Sequence, residues 1–117
     1  MKIVICDDNQ AVCKELKSYI HNNFNFDTTC CTNTKDLLDI VKTQHSEIKA
    51  IILDIVLENN SNGIEIAANI HKQYSDIKII FITGYDDIYY KNIFSYFQPF
   101  GFLSKPIQYN TLHFFSF

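Results

Sequence analysis

The chain has no apolar run near the roughly 18 residues that a membrane span needs. The opening Met1-Lys2-Ile3-Val4-Ile5-Cys6, which meets two acids, Asp7 and Asp8, is too short and acidic too soon to be expected as a secretory signal. Basic residues are not in excess: 10 Lys and Arg stand against 13 Asp and Glu, a formal net charge of −3. That balance speaks against direct nucleic-acid contact, since gripping phosphates takes a basic face. The four cysteines (Cys6, Cys13, Cys30, Cys31) make no C-x-x-C pair, and His21, His45, His71 and His113 are scattered, so zinc spacing is missing. The expectation is reduced thiols in a cytoplasmic protein without membrane contact, a redox role for the adjacent Cys30 and Cys31 being the minor reading. No repeat, low-complexity tract or linker interrupts the 117 residues, a length that supports one core and one domain.

What is present is an alternation of short apolar runs with amphipathic stretches. Lys2–Cys6 is a run of strand formers that stops at the acids. Asn9 or Asp8 can cap the helix that follows, in which Val12, Leu16, Ile20 and Phe24 recur every fourth residue. A weak second strand spans 28–32. Thr34 can cap a second helix that sets Leu37, Leu38 and Val41 on one side. Residues 50–53 form a third strand ending at Asp54, and 57–63, with three asparagines, a serine and a glycine, form a loop. Ile66, Ile70 and Tyr74 mark a third helix, 78–82 and 100–103 two more strands, with a helical stretch over 87–96 between them and something helical after Pro106. Strands separated by helices pair in parallel, so the expected class is α/β, a parallel sheet covered on both faces.

Ligands of an open parallel sheet sit beyond the carboxyl ends of its strands. The polar residues that follow each apolar run are Asp7 and Asp8, then Asp54, then Thr83, then Ser104 and Lys105. All fall on one edge of the sheet. Three clustered carboxylates repel one another, and a hard divalent cation such as Mg2+ relieves that repulsion. A carboxylate can also act as a nucleophile and carry a phosphoryl group, whose oxygens then need a cation, a lysine and a hydroxyl. Singly, each residue has a plainer reading: a helix cap for Asp7 and Asp8, a strand end for Asp54, a turn for Thr83-Gly84, a solvated charge for Lys105. Joint placement on one edge favours the functional one.

Asp7-Asp8, Asp54, Thr83-Gly84 and Lys105-Pro106 together resemble the signature of response-regulator receiver domains, over essentially the whole chain. The resemblance implies a flavodoxin-like (CheY-like) doubly wound sheet of five parallel strands in the order 2-1-3-4-5. It implies Asp54 as phosphoacceptor, and Mg2+ held by Asp8 and Asp54 directly, by Asp7 through water and by the backbone carbonyl of Val56. Thr83 would hydrogen-bond the phosphoryl group and Lys105 would pair with it. The Lys105-Pro106 bond would be cis, and Phe102 would occupy an aromatic switch position linked to Thr83. A sensor histidine kinase would be the partner, and the domain would not be an enzyme beyond self-catalysed phosphoryl transfer and slow autodephosphorylation. The segment 100–107, with Gly63-Ile64-Glu65, resembles the LytTR-type (AgrA-like) branch, whose output is DNA binding.

Departures from the family pattern are Glu58, where many members carry proline, and a loop to Gly63 about one residue longer than usual. By the same resemblance Val56 and Tyr85, two residues after the phosphoacceptor and two after the threonine, would flank the site. Both are bulky and would orient an attacking water poorly, so slow self-hydrolysis is expected. From Tyr85 onward the chain holds 12 of its 17 aromatics, which marks the fourth helical stretch, the fifth strand and the final segment as the face of a homodimer. The apolar, short end suggests a larger protein with an output domain; the alternative is a stand-alone adaptor or phosphorelay intermediate. An aspartyl phosphatase fits less well, because its Asp-x-Asp after the first strand is missing. A flavin carrier fits worse, because Asp7 and Asp8 would repel the phosphate.

Overall fold

A computed structural model describes residues 1–55, 63–84 and 97–115. In chain order these form β1 (Lys2–Cys6), α1 (Gln10–Asn23), β2 (Asp27–Cys31), α2 (Thr34–Gln44), a single 3-10 turn (His45–Glu47), β3 (Ile48–Asp54), α3 (Gly63–Gln73), β4 (Lys78–Thr83), β5 (Gly101–Ser104) and a 3-10 segment (Tyr109–Phe114). The strands make one sheet in the order β2-β1-β3-β4-β5, every neighbouring pair parallel. This is the doubly wound order expected from the resemblance.

Burial on both faces explains why the central strands read as unbroken apolar runs rather than alternating ones. Val4, Cys6, Ile51, Leu53 and Phe81 point into one core with Leu37 and Val41 of α2 and Ile64, Ala67 and Ile70 of α3. Ile3, Ile5, Ile52, Ile80, Ile82 and Leu103 point into the other, against Cys13, Leu16 and Ile20 of α1. The weak β2, with the sequence DTTCC, lies at the sheet's edge, where only Cys31 is buried.

Helix termini depart from expectation in small ways. Asn9 caps α1, its side chain accepting from the N–H groups of Ala11 and Val12. At α2 the cap is Asn33 and not Thr34: Asn33 Oδ1 accepts from the Asp36 N–H at 2.8 Å, and its Nδ2 donates to Asp36 Oδ2 at 3.0 Å. Leu38 does not share the buried side with Leu37 and Val41; it is 44% exposed. Phe24 and Tyr74 lie just past the ends of α1 and α3, each with its N–H on the last turn, to Ile20 O and Ile70 O. β3 and β4 run slightly longer than expected, to Ile48 at the start of β3 and to Thr83 at the end of β4, while β2 lies one residue earlier and β5 one residue later than read.

After Pro106 the chain forms two turns of 3-10 helix rather than a full final helix. It docks on α1: the Tyr109 hydroxyl donates to Glu15, the Tyr109 and Tyr19 rings stack at 5.6 Å, and the His113 Nε2 bonds the Tyr19 hydroxyl at 2.8 Å. Gly101 leaves room for the Phe115 ring, which lies where its side chain would begin. His45 stacks on Tyr74 at 4.5 Å and His71 on Phe97 at 5.0 Å, so both rings pack against neighbouring aromatics. The helical stretch over 87–96, with Tyr89, Tyr90 and Phe94, lies outside the described residues, as do Val56, Glu58 and Tyr85. Among the described residues no helix is long and apolar enough to cross a membrane.

Candidate functional site

Three backbone hydrogen bonds extend the ladder past the strand ends and fix the chain where it enters the site. The Asp7 N–H donates to Cys31 O at 3.1 Å, the Ile55 N–H to Ile82 O at 3.0 Å and the Lys105 N–H to Thr83 O at 2.9 Å. The first and third hold Asp7 and Lys105 at the carboxyl edge, and the second holds the chain just past Asp54. At Gly63 a Cβ would meet the carbonyls of Asp54 and Ile55 at 3.0 Å, so the bare residue lets the first turn of α3 close against the end of β3.

On this edge the expected residues come together. Asp7, Asp8 and Asp54 each present a carboxylate oxygen, all within 4.8 Å of one another. Lys105 Nζ lies 2.9 Å from Asp54 Oδ2 and 3.5 Å from Asp7 Oδ2. Thr83 is buried at the end of β4, paired in register with Ser104. Among the described residues, the nearest atoms to a side chain at Gly84 would be Lys105 Cβ and Cδ at about 4 Å, so the surface beside Thr83 stays open. The Lys105-Pro106 bond is cis. Phe102 is half-buried on β5, its ring stacked on Phe81 at 6.2 Å.

Burial dominates the electrostatics. Asp7 is wholly buried, and burial pushes its carboxyl up to about 6; the charges of Asp54 and Asp8 add to this, while the Asn9 N–H and Lys105 act against it. For Lys105, burial works against the ammonium, yet the hydrogen bond and charge of Asp54, with Asp7 behind, raise it above the ordinary lysine value. Among the described residues, the site thus gathers more negative charge than its one close ammonium answers.

The donor set fits a hard cation. Three carboxylates are gathered, and Asp7 Oδ2 is buried with no hydrogen-bond partner among the described residues. Magnesium takes oxygen ligands of this kind and keeps several waters, so a site open on one side suits it.

Sequence reasoning missed how Asp7 is held. The Asn9 N–H donates to Asp7 Oδ1 at 2.9 Å, and the Cys13 thiol donates to the Asp7 backbone carbonyl at 3.5 Å. The Asn9 contact was available in principle, since an Asp two residues before a helix cap commonly folds back on the chain. The Cys13 contact had no sequence signal. All four cysteines are free and gather at this end of β1 and β2. Burial pushes the Cys13 thiol up to about 12 and raises that of Cys30; contact with Cys31 and then burial raise Cys6, while the Cys6 contact lowers Cys31.

Residues 3–114 match the family model described as response regulator receiver domain. The chain belongs to this family. Accessory gene regulator protein A of Staphylococcus epidermidis is 30% identical over 95 residues, covering 77% of this chain and 40% of that protein. Transcriptional regulatory protein ComA of Bacillus subtilis is 28% identical over 85 residues, covering 73% of this chain and 40% of that one. The receiver matches these curated relatives over about two fifths of their length. Similarity to an accessory gene regulator supports the branch that the 100–107 segment resembles. In three dimensions the receiver is similar to a CheY-like response regulator receiver domain protein from Methanospirillum hungatei, with a TM-score of 0.83 at 20% identity, covering 96% of this chain and 86% of that one. Receiver domains are signalling domains rather than enzymes in the usual sense.

Proposed function

We propose that this receiver accepts one phosphoryl group on Asp54 from the phosphohistidine of a sensor kinase. The observation that carries the reading is the short contact between Lys105 Nζ and Asp54 Oδ2, 2.9 Å, inside a cluster of three carboxylates. In the transfer, a carboxylate oxygen of Asp54 forms a bond to phosphorus as the bond to the leaving nitrogen breaks, and the product is an acyl phosphate. Lys105 would neutralise the transferred oxygens, and Thr83, at the end of the neighbouring strand, would offer them a hydroxyl donor. Asp7, Asp8 and Asp54 would hold Mg2+, with the Val56 carbonyl as a further ligand. When bound, the ion supplies charge neutralisation for the phosphoryl oxygens.

Phe102 is proposed as the switch: its ring is half-buried against Phe81, two residues from Thr83 on the neighbouring strand, so a shift of Thr83 changes the pocket it sits in. The phosphorylated state would control transcription through a DNA-binding domain, a reading supported by the name of the Bacillus relative, a transcriptional regulatory protein, and by the length of both relatives beyond the matched region.

The test is intact mass after incubation with Mg2+ and acetyl phosphate. The native chain should gain about 80 Da, one phosphoryl group, and Asp54→Asn should gain nothing. Equal gain in both chains would move the acceptor elsewhere. No gain in either, with Mg2+ still bound, would describe a receiver that signals without phosphate.

A further inference from the structure

The peptide unit that joins Asp7 to Asp8 links two of the three clustered acids. A peptide is planar, so the direction of its carbonyl sets the plane, and with it the exit vectors of the residues on either side. In this chain that carbonyl is held from below by a side chain. Cys13, on the second turn of α1, is 4% exposed and places its Sγ 3.5 Å from Asp7 O. The same Sγ lies 3.9 Å from Cys31 O, the carbonyl that also receives the Asp7 N–H at 3.1 Å. The thiol therefore sits over the junction where β1 and β2 end. A third thiol backs it: Cys30 Sγ lies 3.6 Å from the carbonyl of Cys13 itself.

Around Asp7 the accounting is nearly complete. Its N–H goes to Cys31, its carbonyl to the Cys13 thiol and its Oδ1 to the Asn9 N–H. The atom left over is Oδ2, buried without a hydrogen-bond partner among the described residues and 3.5 Å from Lys105. Every polar group of the residue is tied down except the one oxygen that faces the other carboxylates.

We infer that Cys13 is a positioning residue for the cation site: its thiol locks the Asp7–Asp8 peptide plane and so keeps both carboxylates aimed at one point. This rests on the proposed receiver chemistry. It reaches beyond that chemistry by giving a role to a residue that touches neither the cation nor the phosphoryl group. Outer partners that orient a metal's ligands bear measurably on its affinity. A thiol is a weak donor, so the effect expected is that of one modest hydrogen bond, about two- to tenfold in affinity.

Three variants separate the donor from the packing. Cys13→Val keeps an apolar side chain of similar size and removes the donor; Cys13→Ala removes donor and volume; Cys13→Ser keeps a donor and loses apolar burial. Mg2+ is titrated into each chain by NMR, and the urea midpoint of each is measured in EDTA. Valine and alanine should raise the Mg2+ dissociation constant about two- to tenfold, with serine within about twofold of native, even though alanine and serine both lower the urea midpoint. Native-like affinity in Cys13→Val and Cys13→Ala would overturn the inference, as would a loss in Cys13→Ser equal to that in Cys13→Ala. If the native chain itself takes up neither Mg2+ nor a phosphoryl group, the receiver chemistry fails, and this inference fails with it.

Discussion

At the β1 end of the carboxyl edge, Asp7 is wholly buried with one oxygen lacking a hydrogen-bond partner among the described residues. At the β4–β5 end, Phe81 is wholly buried among rings, with Phe97 at 6.0 Å and Phe102 at 6.2 Å. Both positions are closed to water, yet they do opposite things to the fold. Apolar burial of a large ring stabilises, whereas burying a carboxylate without full hydrogen bonding costs free energy. The acid corner is shaped for a ligand, and the aromatic corner, together with the isoleucine-rich strands between them, offsets what that shape costs. The two corners also differ in freedom. Asp7 is pinned by three hydrogen bonds, while Lys105, which answers its charge, keeps 34% of its side chain exposed on the end of an edge strand. In the proposed function the fixed half would hold the cation and the more exposed lysine would pair with the phosphoryl group.

The largest effect expected from breaking this contrast lies on the aromatic side. Phe81→Ala should destabilise by about 3–5 kcal/mol, as removal of a buried phenylalanine usually does, read from the urea midpoint. Phe102→Ala, removing a half-buried ring from the same stack, should cost less. Equal losses would mean that the two rings do not differ in the way their burial says, and would weaken the case for Phe102 as the switch.

On the acid side the sign reverses. Asp7→Asn removes a buried charge from beside two other carboxylates, so the Mg2+-free chain should become more stable, by about 1–3 kcal/mol. Saturating Mg2+ should erase the advantage, because the cation stabilises only the chain that binds it. Thermal unfolding with EDTA and with Mg2+ gives the comparison in one experiment. A variant less stable than native in EDTA would show that Asp7 is already satisfied by Lys105 and that the acid corner carries no strain for the ion to relieve.

Much of this was legible before the fold was seen. The central strands β1, β3 and β4 stood out because both faces of the sheet are buried there, which leaves runs such as Ile51-Ile52-Leu53 without a polar break. The site stood out because its polar residues follow those runs directly, and a parallel sheet gathers such positions on one edge. What stayed hidden depends on contacts between distant segments. Cys13 lies on the buried side of α1 in one helical register with Leu16 and Ile20, and nothing in that pattern shows its thiol reaching a carbonyl six residues back. The last segment reads as a short apolar end, and its 3-10 form with Tyr109 and His113 against α1 follows from docking rather than local preference.

The capping of α2 is the smallest and sharpest case. Asn33 and Thr34 are both good cap residues, adjacent in sequence, and propensity alone does not choose between them. Geometry does: Asn33 has extended backbone and its Oδ1 accepts the Asp36 N–H, while Thr34 is already the first helical residue. The reciprocal bond from Asn33 Nδ2 to Asp36 Oδ2 adds to the preference, and Asp36 in the first turn also faces the positive end of the helix dipole. Asn33→Ala should therefore cost about 1 kcal/mol, and Thr34→Ala should fall within about 0.5 kcal/mol of native, as surface changes away from such features do. Asn33 also supplies the carbonyl that accepts the Cys6 thiol at 3.6 Å, one residue before Asp7. A cap lost at Asn33 could therefore reach the acid corner, and a drop in Mg2+ affinity that appears in Asn33→Ala but not in Thr34→Ala would measure that reach. Equal losses of stability in the two variants would return the cap to Thr34.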